Sequence, residues 1–220
     1  MFRLTVVYDN KGSQDFTGSW GFAVLIETNN ETLLFDTGWD GTLLLENMKK
    51  LNIDPAHINK LIISHQHWDH IGGLPEILQV NPGLTVYVPL SFSENLKTEI
   101  KKRAALVEVK EPVEISPGVR TTGELGDNIK ELALILDTGN GCYVLVGCAH
   151  PGLATILDAA LCYGKVKGIF GGLHDSEEFE RLRGLELIAA GHCTAHIEKI
   201  KQIFPSEFID IEVGLRLNLR

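Results

Sequence analysis

Ser64-His65-Gln66-His67-Trp68-Asp69-His70, with Ile71-Gly72-Gly73 behind it, is the stretch around which the rest of the chain falls into place. Three imidazoles and a carboxylate lie within six residues, directly after the strand-like run Lys60-Leu61-Ile62-Ile63. Imidazole and carboxylate together suit zinc and neighbouring first-row ions better than a sulfur-rich or all-oxygen set would. In extended backbone His65 and His67 project the same way, because side-chain direction repeats every two residues. They can grip one ion from one side. Asp69 and His70 lie past the turn and fall to a second ion about 3.5–4 Å away, a spacing common where one water is activated and the oxygen it attacks is stabilised. A one-metal site is the alternative.

The residues behind the cluster support rigid placement. Gly72 and Gly73 allow a turn close to the site without Cβ crowding. Leu74-Pro75-Glu76-Ile77-Leu78 reads as a helix start, with Pro75 where its missing N–H costs least. Ligands at a strand end and a helix start sit on rigid scaffold. Upstream, the apolar runs 22–28 and 32–36 form a hairpin, the second ending at Asp36-Thr37-Gly38. Asp36 by itself reads as a turn residue or the N-cap of the following helix.

The chain beyond residue 117 repeats the theme. Punctuation by Glu111, Pro112, Pro117 and Gly118 puts a boundary between halves near residues 110–117. A strand over 132–137 turns at Asn140-Gly141, a strong hairpin signal, and returns over 142–146. Gly147-Cys148-Ala149-His150-Pro151-Gly152 then leads into a helix over 153–161: apolar strand, polar residues, glycine, helix. His150 is expected to ligate metal. Cys148 is either a bridging or nearby thiolate or a buried small apolar residue, the commoner fate of free cysteine. The strand 166–172 runs into Leu173-His174, and His174 is expected in the pocket as proton donor or anion binder, with ligation and a structural role as alternatives. The strand ending at His192 brings the ligand expected to complete the second ion, while His57 and His196 are expected to be structural.

The motif His-x-His-x-Asp-His with Gly-Gly, beyond a Leu-Leu-Phe-Asp-Thr-Gly strand, resembles the metallo-β-lactamase superfamily of hydrolases over essentially the whole chain. That resemblance implies an α+β (α/β four-layer) fold, an αβ/βα sandwich of two mixed sheets with helices outside, in keeping with general layer logic. One domain over 1–220 is expected, built from halves 1–110 and 111–220. The resemblance makes Asp36 a carboxylate that orients a ligand imidazole such as His65. The second half departs from the family pattern. Where many members carry Thr-Pro-Gly-His this chain has Thr121-Thr122-Gly123-Glu124, and where many carry Gly-Asp, with an ion-bridging Asp, it has Gly147-Cys148. Glu124 is the candidate stand-in for that carboxylate. The set Gly-Cys-Ala-His-Pro-Gly, Gly-Gly-Leu-His and Gly-His-Cys-Thr looks like one branch, the metal-dependent hydrolases grouped with dihydropterin ribofuranosylaminobenzene 5′-phosphate synthases.

The expected chemistry is therefore hydrolysis by a metal-bound hydroxide, the ion lowering the pKa of its water to about 7. One ion sits on His65, His67 and His150 and the other on Asp69, His70 and His192. Zinc is the foremost candidate, with manganese or iron as alternatives. Asp36, Asp69 and His174 form the catalytic group, acting on a small anionic substrate, a phosphoester or cyclic ester. The alternatives are condensation of a pterin diphosphate with an aromatic amine and a nonenzymatic metal- or ligand-binding sensor.

Composition sets limits around this reading. The formal charge of −9 over 220 residues argues against a general nucleic-acid role, and the basic run 97–103 reads as a solvated helix face. No stretch reaches the roughly 18–20 apolar residues that span a bilayer, so no membrane partner is expected. Four cysteines without framework spacing and no signal-peptide pattern at the N-terminus point to a reduced, cytoplasmic setting.

Overall fold

The computed structural model of the chain describes residues 1–13 and 15–220. The first strands are β1 (Phe2–Tyr8), β2 (Ala23–Glu27) and β3 (Thr32–Phe35), an antiparallel set. The chain then alternates helix and strand through α1 (Gly41–Lys50), β4 (Lys60–Ile62), α2 (Trp68–Ile71), α3 (Leu74–Val80), β5 (Thr85–Pro89), α4 (Glu94–Lys101) and β6 (Ala105–Val109). A second series begins with β7 (Glu114–Ser116), β8 (Val119–Thr121), β9 (Leu134–Asp137) and β10 (Cys142–Val146). It continues through α5 (Leu153–Leu161), β11 (Val166–Gly172), β12 (Leu187–Gly191), α6 (Ile197–Ile203), β13 (Phe208–Asp210) and β14 (Arg216–Leu219).

These strands form two seven-stranded sheets, ordered β14-β1-β2-β3-β4-β5-β6 and β13-β12-β11-β10-β9-β8-β7. Each is mixed: β3 to β6 are mutually parallel, as are β10 to β13, while the remaining neighbours pair antiparallel. Strand periodicity explains the layering, since alternate side chains face opposite ways. Leu33 and Phe35 point into a core shared by both sheets, and so do Leu134, Leu136 and Leu145. Leu34 points outward onto Leu44 and Met48 of α1 and Ile77 of α3. Ile135 and Val144 do the same onto Ile156 and Leu157 of α5. Asp40 opens α1 by accepting from Thr42 and Leu43 N–H. The four-layer αβ/βα sandwich expected from the sequence is the observed fold.

The last strand, β14, pairs antiparallel with β1 at the edge of the first sheet, with Phe2 opposite Leu219. One local expectation changes. The basic run 97–103 is not uniformly solvated: Lys97 is buried, its ammonium donating to Leu90 O and Glu108 and paired with Glu94. Its aliphatic stem packs while three acceptors hold the charge. Among the described residues no helix is long and apolar enough to cross a membrane.

Candidate metal centre

The strands β3, β4, β10, β11 and β12 all deliver their C-terminal ends to one rim of the sandwich, and the segments that follow carry Asp36, the 64–70 cluster, Cys148 with His150, His174 and His192. Backbone strain concentrates there. Of five non-glycine residues with positive φ, four are Asp36, Ala149, His174 and His192. Such conformations persist only where the surroundings over-determine them.

Six of the eight histidines meet at this rim. Ring centroids lie 4.6 Å apart for His65 and His67, 4.8 Å for His65 and His150, and 5.0 Å for His67 and His150. His70 and His192 are 5.0 Å apart, with His65 4.1 Å from His70. Asp69 Oδ2 stands 3.3 Å from His192 Nε2 and 3.9 Å from His70 Nε2. Thus His65, His67 and His150 face one another on one side, and Asp69, His70 and His192 on the other. His174 lies at the lip, its ring 4.7 Å from that of His150 and its Nδ1 2.7 Å from Asp175 Oδ1. His57 and His196 stay apart from the cluster, each near a surface carboxylate, Asp54 and Glu177 respectively.

The hydrogen bonds fix which nitrogen looks inward for three of the rings, His65, His70 and His192. Asp36, fully buried, accepts from Ser64 N–H and from Ser64 Oγ–H, both at 2.7 Å, and from His70 Nδ1–H at 2.7 Å. His70 therefore presents a bare Nε2. With its hydroxyl hydrogen given to Asp36, Ser64 Oγ can only accept from His65, so His65 Nδ1 carries the proton at 2.9 Å and Nε2 is bare. Asp36 thus orients His70 directly and His65 only through Ser64, which corrects the expectation of a direct contact with His65. Asn10 does the equivalent for His192. Its Nδ2 donates to His192 O and its Oδ1 accepts from Gly21 N–H, so the same Oδ1 receives His192 Nδ1–H at 3.2 Å.

Ring nitrogens gathered this closely are what a cation would fill: His65 Nε2 is 3.1 Å from His67 Nδ1, and His70 Nε2 is 3.1 Å from Cys148 Sγ. His150 Nε2 and His192 Nε2 are buried and have no hydrogen-bond partner among the described residues. Burial favours the neutral, ligating form of His65, His67, His150 and His192. It keeps His65 well below its ordinary range and lowers His67 and His192, and with neighbouring His174 it brings His150 down to about 4. At His70 burial works the same way, but the Asp36 carboxylate outweighs it and raises the value. Two groupings have every ligand atom within 4.8 Å of the others: His65, Cys148 and His150, and His70, Cys148 and His192. The donor set fits a pair of divalent ions of the zinc or iron type.

Three features escaped the sequence reading. Glu131 is fully buried and accepts four consecutive backbone N–H groups, those of Gly147, Cys148 and Ala149 on Oε1 and of His150 on Oε2, at 2.9–3.1 Å. It holds the loop carrying Cys148 and His150, yet in sequence it is a lone acid before an apolar strand. Asn10 reads only as a turn residue. Trp20, whose indole donates to Asp69 Oδ2 at 2.7 Å, has no sequence signal. Glu124, the expected stand-in for a bridging carboxylate, instead accepts from Ser91 N–H at 2.6 Å and belongs to neither grouping. The turn at Gly123 carries it away from the cluster, with Glu124 N–H bonded to Lys110 O.

The profile of the metallo-beta-lactamase superfamily matches residues 20–197, and the chain belongs to that superfamily. Along 93% of its length it is 27% identical to the 7,8-dihydropterin-6-methyl-4-(beta-D-ribofuranosyl)-aminobenzene-5'-phosphate synthase of Methanocaldococcus jannaschii, covering 90% of that protein. It is also similar to the crystal structure of a metal-dependent hydrolase of the beta-lactamase superfamily, with a TM-score of 0.78 and 26% identity over 100% of this chain and 99% of the other. A diphosphatase of the PhnP family shares the fold at a TM-score of 0.65 and 16% identity, over 100% and 98% of the two chains. The family and branch read from the motifs are those found.

Proposed function

We propose that the protein is a metal-dependent hydrolase acting on a small phosphoester or cyclic ester. The observation that carries this reading is the inward set of bare imidazole nitrogens, with those of His150 and His192 buried and unpartnered. His65, His67 and His150 would hold one divalent ion and Asp69, His70 and His192 the other, zinc foremost and manganese or iron as alternatives. When bound, such ions supply the Lewis acidity that activates water and offsets developing negative charge.

The chain's own residues do the rest. Asp36, Ser64 and Asn10 lock the ring tautomers, a control that raises ligand basicity and fixes geometry. Glu131 fixes the backbone that presents His150. His174, exposed at the lip and hydrogen-bonded to Asp175, donates a proton to the leaving oxygen or holds an anionic group of the substrate. Beside His150 a cleft of about 510 Å³, lined by Gly126, Asp127, Asn128, Ile129 and Pro151, gives room for a small molecule.

The test compares chelated and zinc-reloaded protein on a panel of phosphomonoesters, phosphodiesters and lactones. Turnover restored by zinc and reduced at least about 100-fold in His174→Ala supports the reading; a reloaded protein that turns over no ester sinks it. Similarity to the synthase over nearly the whole chain favours one second reading, condensation of a pterin diphosphate with an aromatic amine. Condensed product without hydrolysis in the same assay selects it.

A further inference from the structure

No carboxylate among the described residues belongs to either of the two ligand groupings. Asp36 spends its oxygens on Ser64 and His70 Nδ1. Glu131 spends both of its own on backbone N–H groups. Glu124 is away at Ser91, and Asp69 lies to one side, on His192 and Trp20. The group that does lie between is Cys148 Sγ. It is the one atom common to both groupings, sharing one with His65 and His150 and the other with His70 and His192. It stands 3.1 Å from His70 Nε2. The side chain is buried and its backbone N–H is tied to Glu131, so it is aimed and not merely nearby. Independent of the cysteine, the His192 imidazole is wholly buried; its Nε2 makes no hydrogen bond and stands 3.3 Å from Asp69 Oδ2.

Building on the hydrolase reading, we propose that Cys148 is a thiolate ligand shared by both divalent ions, taking the place that a carboxylate would otherwise fill. Zinc–sulfur bonds are about 2.3 Å long, so one sulfur reaches two ions up to roughly 4.6 Å apart. That covers the spacing of about 3.5–4 Å usual in two-metal sites. The thiol proton leaves to solvent as the ions bind. The anionic sulfur then supplies a negative charge between two cations that would otherwise meet only neutral imidazoles and Asp69. A soft shared donor also biases the centre toward zinc or iron(II) and against magnesium, calcium or manganese.

The experiment is X-ray absorption at the zinc edge on wild-type protein loaded with two zinc ions, with zinc per chain measured by elemental analysis. A sulfur shared by both ions gives an average of one sulfur scatterer per zinc. About one half per zinc, meaning sulfur on a single ion, overturns the proposal, and so does none. Cys193, whose thiol lies 4.0 Å from Cys148 O, supplies the control: Cys193→Ser should leave the average at one, and loss of the sulfur signal in that variant also overturns it. Cobalt(II) substitution gives a second readout, in which a sulfur-to-cobalt charge-transfer band is present in wild type and absent in Cys148→Ser. Retention of the band in that variant refutes the assignment, and the wild-type scatterer count stands even where the variant folds poorly. Two zinc ions bound without sulfur would remove the thiolate and leave the hydrolase reading intact. Failure to bind zinc at all would remove both.

Discussion

Glu131→Gln changes one oxygen into an amino group at the point where one carboxylate organises a whole loop. With the amide oxygen in the place of Oε1, the bonds from Gly147, Cys148 and Ala149 survive, but the new NH₂ faces the His150 N–H, donor against donor. A buried hydrogen bond to a charged acceptor is worth about 1.5–3 kcal/mol. The three surviving bonds lose charge assistance, which roughly doubles the strength of a bond. Against this, burial pushes the Glu131 carboxyl pKa up, so a neutral amide recovers part of the desolvation cost. The net loss is about 2–4 kcal/mol, or roughly 5–15 °C in melting temperature for a chain of this size. Urea unfolding of wild type and variant at neutral pH, followed by circular dichroism, measures the stability, and a zinc titration of each reads the site. Zinc affinity should fall about 10–100-fold, as it does when outer partners of ligands are removed. A variant within about 0.5 kcal/mol of wild type, with unchanged zinc affinity, would refute the claim that this carboxylate holds the His150 loop.

Asp36→Asn should weaken zinc binding about 10–100-fold by loosening His70 directly and His65 through Ser64; competition with a chromophoric chelator measures it, and undiminished affinity would contradict the tautomer argument. Gly72→Ala places a methyl against the Trp39 carbonyl and should cost about 1–3 kcal/mol in urea unfolding. Gly83→Ala, with nothing nearer than Asn81 Oδ1 at 3.9 Å, should be nearly neutral, and equal effects of the two would discount the steric reading. Lys60 donates to both Glu31 oxygens, at 2.7 and 2.8 Å, and that pairing lowers the Glu31 pKa. A carboxyl depressed in the folded state adds stability that is present above its unfolded value of about 4.3 and is lost as pH falls through the folded one. Wild type should therefore lose stability more steeply than Glu31→Gln between about pH 5 and 3, and parallel profiles would exclude the linkage.

What the sequence could carry was whatever depends on near neighbours. The alternation in 22–28 and 32–36, the Asn140-Gly141 turn and the strand–glycine–helix passages are local patterns, and they determined the strands, the helices and the layered fold. His65, His67, Asp69 and His70 were legible for the same reason: their spacing alone makes a ligand cluster. His150 and His192 were legible as strand-end histidines. Other features needed the tertiary structure, because they rest on contacts between residues far apart in the chain. No local pattern says that Asn10 will set the tautomer of His192, 182 positions away. Nor does one say that Glu131 will gather the N–H groups of residues 147–150, or that β14 will cross back to pair with β1. The sequence favoured apolar packing over ligation for Cys148, since burial is the commoner fate of a free cysteine. Only when both sheets bring their strand ends to one rim does its sulfur come to lie between two pairs of histidines, where its chemistry can matter.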